Sequence, residues 1–489
     1  GTSDKKEASP ALKKLQAQAN KLVKLAKVST NDDLEKLSSP VKYEDLVTVF
    51  EKIEEISGRL EIQGLMTTLF RRLLRDSPKD LYHVVYLASN SIAPAYECVE
   101  LGIGDSILMK AIAEAYGSAL KNVKEQYEKE GDLGKVAKLF KSKQRTLNFG
   151  FKPKALTVEQ VLKTFREIAN IAGSKSQKLK TDLIKKMLVA AQNPIETKFI
   201  IRGLQGKLRI GLAQSTVLIS LAHALAFTLP STVEVEAVET VVESIEEQEE
   251  EQDKGDDAEA KNLQVFQDNS APIEKRLEAA VNIVKQVYSE VPSYDALLDA
   301  ALKVPLAGLH EACSFQPGIP VVPMLAKPTK SIQEVLSRLN GLKFTCEYKY
   351  DGERAQIHKT SDGKLKVFSR NLLETSAKYP EVPLFVQEAA KDSIVDSFVL
   401  DAEVVAYNPQ TEKLVPFQIL STRKKTEESA ATAKVQVIVQ AFDLMYLNGK
   451  SLLTRRLEER RTLMKKHFLP VEGKFQYAKA LDFQEDGET

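Results

Sequence analysis

Residues 344–369 read FTCEYKYDGERAQIHKTSDGKLKVFS, and this stretch decides the class of the C-terminal part of the chain. Phe344–Tyr350, Arg354–Lys359 and Leu365–Ser369 are rich in β-branched and aromatic residues and bounded by turn formers, so the spacing predicts three strands. Ser361-Asp362-Gly363 joins the last two as a hairpin. Lys349 stands at the end of the first strand, immediately before the turn Asp351-Gly352. A lysine beside a turn is ordinary as a surface charge. As a nucleophile it needs more, because an ordinary lysine amine is protonated at neutral pH and is activated only by desolvation or neighbouring cations.

Working outward, Phe398–Tyr407, Leu414–Ile419 and Val435–Tyr446 predict further strands, with turns at Asn408-Pro409 and Asn448-Gly449. The region after Gln316-Pro317-Gly318-Ile319-Pro320 is therefore expected to be α+β, built on antiparallel sheet. Upstream the period changes. From Val41 to His310 apolar residues recur at helical spacing, as in Phe50, Ile53, Ile56 and Leu60, and Asp76-Ser77-Pro78 and Asn193-Pro194 punctuate the helices. Two stretches repeat without a gap, FEKIEEISG at 50–58 and FREIANIAG at 165–173. LGIGDSIL at 101–108 and LRIGLAQS at 208–215 form a second pair. Two copies of a multi-helix unit predict an all-α domain with internal pseudo-twofold symmetry, suited to a nearly twofold object such as duplex DNA.

The expected domains are a loose lead-in over 1–40, a helical domain over 41–312 and the α+β domain over 313–489. Between Glu234 and Glu259 there are 13 acidic residues against one basic, Lys254. That segment, extended to 262, reads as a disordered insertion held open by repulsion. The chain's net charge of +1 thus hides +13 on the remainder, a balance compatible with nucleic acid. No apolar run approaches the roughly 20 residues that span a bilayer. Cys98, Cys313 and Cys346 form no CxxC pair and the five histidines form no HxxxH or HExxH, which argues against a structural zinc site or a disulfide framework.

In the second helical copy, Gly173-Ser174-Lys175-Ser176-Gln177-Lys178 opens a helix with free backbone N–H groups, hydroxyls and two lysines, a ready anion site. Gly206-Lys207-Leu208-Arg209-Ile210-Gly211 has similar chemistry. The plainer alternative for each is a helix cap. In the α+β part, Arg354 and Arg370 are suited to phosphate or ribose. Glu403, inside the apolar run LDAEVVAY, is suited to a divalent cation completed by substrate phosphate. The plainer alternatives are a strand-surface carboxylate for Glu403, simple core for Phe442 and a solvated charge for Arg59.

K-x-D-G alone is weak evidence, but the ordered series is specific: KYDGER, FSRN at 368–371, KYP at 378–380, LDAEVVAY at 400–407, PFQILSTRKK at 416–425 and FDLMYLNG at 442–449. With FEKIEEISGRL, GKLRIGLA and PGIPVVPMLAKPT, this series resembles the ATP-dependent DNA ligases, most closely their eukaryotic replicative branch. The resemblance runs from about Val41 to the C-terminus. It implies that Lys349 attacks the α-phosphorus of ATP and holds AMP, which passes to the 5′-phosphate of a nick in duplex DNA before the strand is sealed. It implies Glu347 beside adenine, Arg354 on ribose or phosphate, Arg370 on nucleotide and nick, and Phe442 stacked on adenine. Glu403 is then the carboxylate of the third nucleotidyltransferase motif, holding Mg²⁺. Arg59, Gly173, Ser174, Lys175, Ser176, Lys178, Lys207, Arg209 and Arg370 are implied in DNA contact, with Arg59 and Ser174 at equivalent places of the repeat.

The resemblance further implies a monomer without membrane attachment, acting in nuclear DNA replication and excision repair, with mitochondria as a second compartment. It implies a sliding-clamp partner engaged through an N-terminal region outside this sequence. The family's later adenylation motifs and its OB domain are not found before Thr489, so the sequence reads as a fragment of an adenylation enzyme. Two other readings stay open: a catalytically silent nick-binding module, and another lysine nucleotidyltransferase of the RNA ligase or capping type.

Overall fold

The computed structural model describes residues 34–144, 154–228, 258–268, 270–390, 395–423 and 435–483. The chain divides into two compact units, with the main boundary between Cys313 and Ser314.

The first unit is helical. Its first four helices are α1 (Tyr43–Glu54), α2 (Arg59–Asp76), α3 (Asp80–Ala88) and α4 (Asp105–Tyr116). Then come α5 (Leu120–Glu130), α6 (Leu133–Lys143), α7 (Val158–Asn170), α8 (Ser176–Ala190), α9 (Pro194–Leu204) and α10 (Gln214–Thr228). The remaining helices are α11 (Ala258–Gln267), α12 (Ile273–Glu290), α13 (Tyr294–Ala301) and α14 (Leu309–Ala312). In α1, Tyr43, Leu46, Val47, Phe50 and Ile53 are buried, a stripe at helical spacing that fixes which face turns inward. Sequence also fixes several starts. Thr157 and Gln160 form a capping box at α7, and Asn193 and Glu196 form another at α9, where Pro194 occupies the first helical position.

Packing follows an exchanged order. Helix α2 lies against α10 and α8 against α4, while α1 lies against α9 and α7 against α3. Phe50 meets Phe199 edge-on at 5.3 Å in the α1–α9 contact. In the α7–α3 contact the Arg166 guanidinium stands 4.9 Å from the Tyr86 ring centroid and donates to Ile92 O at 2.7 Å. The residues before α1 and α7 cross in an antiparallel bridge, with Tyr43 N–H donating to Leu156 O at 2.8 Å and Val158 N–H to Val41 O at 3.1 Å.

Three expectations are corrected in this unit. Residues 34–40 are not loose: Leu34 and Leu37 are buried, Leu37 N–H donates to Asp76 Oδ2 at 2.8 Å, and Arg75 holds Leu34 O at 3.0 Å. Two leucines in that stretch suffice to dock it on the end of α2; residues 1–33 lie outside the described residues. Of the acidic segment expected to be disordered through 262, residues 258–262 are helical instead. Helix α11 begins at Ala258, and residues 229–257 lie outside the described residues. Finally, Gly206–Gly211 does not open a helix as Gly173–Lys178 does. It is a linker from α9 to α10, turned by Gly206, Arg209 and Gly211 at φ of 73°, 57° and 68°. Among the described residues no helix is long and apolar enough to cross a membrane.

The second unit begins with an exposed helix, α15 (Ile332–Leu339), and β1 (Phe344–Glu347), β2 (Glu353–Lys359) and β3 (Leu365–Ser369). It continues with α16 (Glu381–Ala389), β4 (Phe398–Asn408), β5 (Lys413–Leu414), α17 (Phe417–Ser421), β6 (Val437–Leu447) and β7 (Lys450–Ser451). Helix α18 (Leu457–His467), β8 (Phe475–Tyr477) and β9 (Ala480–Phe483) close the described part. The main sheet runs β3-β2-β4-β6-β7, with β5 beside β4 and β8 beside β6. All its pairings are antiparallel except β6–β8. Strand β1 belongs instead to a separate antiparallel pair with β9.

The expected strand over Leu414–Ile419 is corrected to the two-residue β5 followed by α17. Pro416 cannot donate to a ladder, and Phe417 N–H turns away to Asp351 Oδ2 at 3.3 Å. The first expected strand also stops sooner, at Glu347, so Lys349 sits in the irregular stretch that follows rather than at a strand end.

Alternation gives the main sheet two unlike faces. Ala355, Ile357, Leu400, Ala402, Val404, Val439 and Ala441 pack with Val382 and Val386 of α16 and Met464 of α18 into the core. The opposite face carries Arg354, Gln356 and His358 from β2 and Asp401 and Glu403 from β4, in facing register. Part of it is covered by the segment entering the unit, where Val321 N–H donates to Gln356 Oε1 at 2.9 Å and Gly318 N–H to His358 Nδ1 at 3.0 Å.

Candidate active site

The site occupies the uncovered part of that polar face. Its key approach is made by Gly352. A Cβ at this position would lie 2.5 Å from Val404 O and 2.9 Å from Glu403 Cγ, so only glycine lets the turn rest directly on β4. Asp351 ties the same turn to α17 through Phe417 N–H. The Asp-Gly of the motif is thus the fixture of the loop bearing Lys349.

Lys349 is exposed, and its positive charge reaches Glu403. Burial pushes the Glu403 carboxyl up to about 7, against the pull of Lys349 and Arg354. Arg354 stands opposite Glu403 in the β2–β4 register but pairs with Asp401, Nε to Oδ1 at 3.0 Å with a second bond from Nη2 to Oδ2. This fork-to-carboxylate pair fixes the guanidinium plane. The same guanidinium lies 5.7 Å from the Phe442 ring centroid. Phe442 is the extra residue of a β-bulge. Ala402 faces Ala441 and Asp401 faces Asp443, which leaves Phe442 without an opposite number.

The neighbouring carboxylates are accounted for. Glu353 accepts from Lys378 Nζ and Tyr379 OH, each at 2.5 Å, and Asp443 is held by Arg460 at 2.7 and 2.9 Å. Glu403 has no hydrogen-bond or ion-pair partner among the described residues. No cluster of three or more His, Cys, Asp or Glu there could hold a metal by itself. A half-buried, unshared carboxylate fits Mg²⁺ of the kind completed by water and substrate phosphate, and fits no all-protein cage.

Glu347, on β1, is paired with Arg461 of α18. Arg461 also donates from Nε to Phe442 O at 3.2 Å and from Nη1 to Thr345 Oγ1 at 3.2 Å. One guanidinium therefore joins the strand of Glu347 to the strand of Phe442. Arg370, just past β3, is exposed. Sequence reading missed Asp401 and Arg461. Asp401 had a usable signal, since it lies two residues before Glu403 and so on the same face. Arg461 had none, being one of two adjacent arginines in a charged helix.

The helical unit displays the other candidates. Arg59 is the exposed first residue of α2. Gly173, at φ 91°, with Ser174 and Lys175 leads into α8, whose N-terminus has no side-chain cap; Ser176 is half-buried and Lys178 exposed. Lys207 and Arg209 are exposed on the α9–α10 linker, where Arg209 Nη1 donates to Gly131 O at 3.1 Å.

Both units match one protein class. Residues 42–222 match the family described as DNA ligase N terminus, and residues 323–488 match the ATP dependent DNA ligase domain. The chain belongs to the ATP-dependent DNA ligase family. Among its relatives, DNA ligase 1 of Schizosaccharomyces pombe is 40% identical over 460 residues, 94% of this chain and 55% of that protein. DNA ligase 1 of Saccharomyces cerevisiae is 39% identical over 453 residues, covering 92% and 55%. DNA ligase 1 of Arabidopsis thaliana is 39% identical over 466 residues, covering 94% and 54%. The chain spans about half the length of the curated relatives it matches.

Proposed function

We propose that this chain carries the duplex-gripping and lysine-adenylating parts of an ATP-dependent DNA ligase. The observation that carries the reading is the seating of the Lys349 loop, through Gly352, directly against the Glu403 strand on the face that also bears Arg354 and Phe442. Lys349 Nζ forms a P–N bond to the α-phosphorus of ATP as the bond to pyrophosphate breaks. The amine's proton is lost to solvent, and AMP remains on the lysine. Phe442 offers a ring for adenine, with Glu347 along its edge, and Arg354 a cation beside ribose and phosphate. Arg370 contributes a further positive charge to nucleotide and nick. Glu403 would hold Mg²⁺, which supplies charge neutralisation at the phosphates. AMP then passes to the 5′-phosphate of a nick, and the adjacent 3′-hydroxyl displaces it.

Duplex DNA is gripped by the helical unit. Its exchanged packing supports a pseudo-twofold: α1, α2, α3 and α4 correspond to α7, α8, α9 and α10. Under that exchange α2–α10 becomes α8–α4 and α1–α9 becomes α7–α3. Ser77-Pro78-Lys79-Asp80 and Asn193-Pro194-Ile195-Glu196 are further equivalents, each with its acid turned back on nearby N–H or O–H groups. Arg59 and the Gly173–Lys178 segment then occupy matching helix starts, and Lys207 and Arg209 add charge from the linker. The same reading includes a monomer acting in the nucleus, with mitochondria as a second compartment, and a sliding-clamp partner; kinship with the eukaryotic relatives supports the nuclear part of it.

The exposure of Lys349 favours a second reading, a nick-binding module without catalysis. Incubation with α-labelled ATP and Mg²⁺ separates the two. Label bound to the protein through an acid-labile, base-stable linkage, and lost in Lys349→Ala, is expected. Binding of nicked duplex without any such label would overturn the enzymatic reading.

A further inference from the structure

The α9–α10 linker bearing Lys207 and Arg209 is held by a buried cation. Arg202 of α9 is only 2% exposed. Its Nη2 bonds Asp132 Oδ2 at 2.7 Å and Glu54 Oε1 at 2.9 Å, and its Nε reaches Asp132 Oδ2 at 3.1 Å. The remaining arm does something different: Nη1 donates to the backbone oxygen of Leu208 at 3.1 Å, between the two exposed basic residues. The main chain of Arg202 adds a second tie, its carbonyl accepting from Lys207 N–H at 3.1 Å. Asp132 also caps α6, bonding Gly134 N–H at 2.8 Å, and the adjacent Gly131 carbonyl receives Arg209. Gly134 makes room for this arrangement, since a Cβ there would lie 2.7 Å from both Arg202 Cγ and Lys198 O.

A guanidinium this buried must satisfy its donors inside the protein, and its planar fork holds several partners in fixed directions. Here those partners are the end of α1, the α5–α6 turn and the linker. With three residues at positive φ, the linker has little secondary structure of its own to fix it. The corresponding position in the first copy is Tyr86, whose hydroxyl goes to Asp295 at 2.6 Å. The stretch after it, Ser91–Gly104, contains no Lys or Arg. The strap thus occurs only where the linker carries charge.

We propose that Arg202 is a positioning residue for duplex binding, fixing the turned Gly206–Gly211 linker so that Lys207 and Arg209 meet successive phosphates of the DNA backbone. The proposal rests on the reading of that linker as a DNA contact. Flexible charges bind too, but each must be ordered on binding, and a linker already fixed avoids that entropic loss.

The test is a double-mutant cycle read by fluorescence anisotropy on a nicked duplex across a salt series. Arg202→Lys keeps a cation for Asp132 and Glu54 but cannot reach Leu208 O as well. It is expected to weaken binding about fivefold and to lower the slope of log Kd against log salt by about one, as for the loss of one phosphate contact. Adding Lys207→Ala to Arg202→Lys should then cost little beyond either change alone. Asp132→Asn, which retains the α6 cap while loosening Arg202 from the other side, should reproduce the slope change and guards against a folding defect in the lysine variant. Fully additive losses, or weakened binding at an unchanged slope, would overturn the positioning role. Normal binding by both Lys207→Ala and Arg209→Ala would instead show that the linker does not touch DNA, and the reading beneath the proposal would fall with it.

Discussion

The two units use charge in opposite ways. In the helical unit most candidate residues (Arg59, Lys175, Lys178, Lys207 and Arg209) stand out in solvent at helix starts and on a linker. On the polar face of the sheet Arg354 is paired with the buried Asp401 and Asp443 with Arg460, while Glu403 stays half-buried without a partner among the described residues. Exposed charges act through summed, salt-screened attraction and tolerate the loss of any one member. Half-buried groups feel each other strongly and act through exact identity and placement. Under the proposed function, the difference separates a surface built for affinity from a site built for reaction.

The largest test of that contrast is Lys349→Ala. It should abolish lysine-linked AMP entirely while leaving nicked-duplex affinity and its salt slope unchanged in anisotropy titrations. A collapse of both would show that the two regions do not act separately.

Next comes Glu403→Gln, which should slow adenylation about a hundredfold, or roughly 3 kcal/mol of transition-state stabilisation, by removing the cation's protein ligand. Glu403 also sets a pH dependence. Its carboxyl lies at about 7 in the fold against an ordinary 4.5, so burial favours the protonated form. The group therefore costs the fold progressively more stability as pH rises from 4.5 to about 7 and a constant amount above that, while cation binding requires the ionised form. Adenylation should fall off below about pH 7 at low Mg²⁺, and the acid limb should move to lower pH as Mg²⁺ rises. A limb that ignores Mg²⁺ concentration would remove Glu403 from the cation.

Smaller again, Gly352→Ala should cost about 1–3 kcal/mol in urea unfolding, because the added methyl meets Val404 O and must push the turn off β4. Adenylation should suffer along with stability, since the same turn carries Lys349. Least of all, Lys178→Ala should weaken duplex binding only a fewfold at physiological salt, with a slope about one lower and no change in adenylation. A loss as steep as that from a sheet-face substitution would erase the contrast.

Legibility in the sequence followed the same divide. The strands β2, β3, β4 and β6 could be read because alternation and turn chemistry are local. The Lys349 motif could be read because its spacing is rigid. The Arg354–Asp401 pair and the Arg461 clamp could not, since nothing in the chain marks which distant charges will meet. Leu414–Ile419 misled because β-forming side chains outweighed Pro416. The repeat was visible in FEKIEEISG and FREIANIAG and in LGIGDSIL and LRIGLAQS, whereas the likeness of Ser77…Asp80 to Asn193…Glu196 escaped notice because it is one of chemistry rather than letters. Gly206–Gly211 looked like a helix start because glycine serves equally at caps and in linkers.

The bulge at Phe442 has a further consequence. Because this residue has no opposite number on β4, the pairings on either side of it, Ala402 with Ala441 and Asp401 with Asp443, are complete without it. Phe442 is in effect an aromatic ring spliced into a strand that already closes. The extra residue shifts the register once, between Asp401 and Ala402, and leaves the pairings on either side intact. Excising that one residue, rather than substituting it, would ask whether the scaffold and the ring proposed to meet adenine are separable parts.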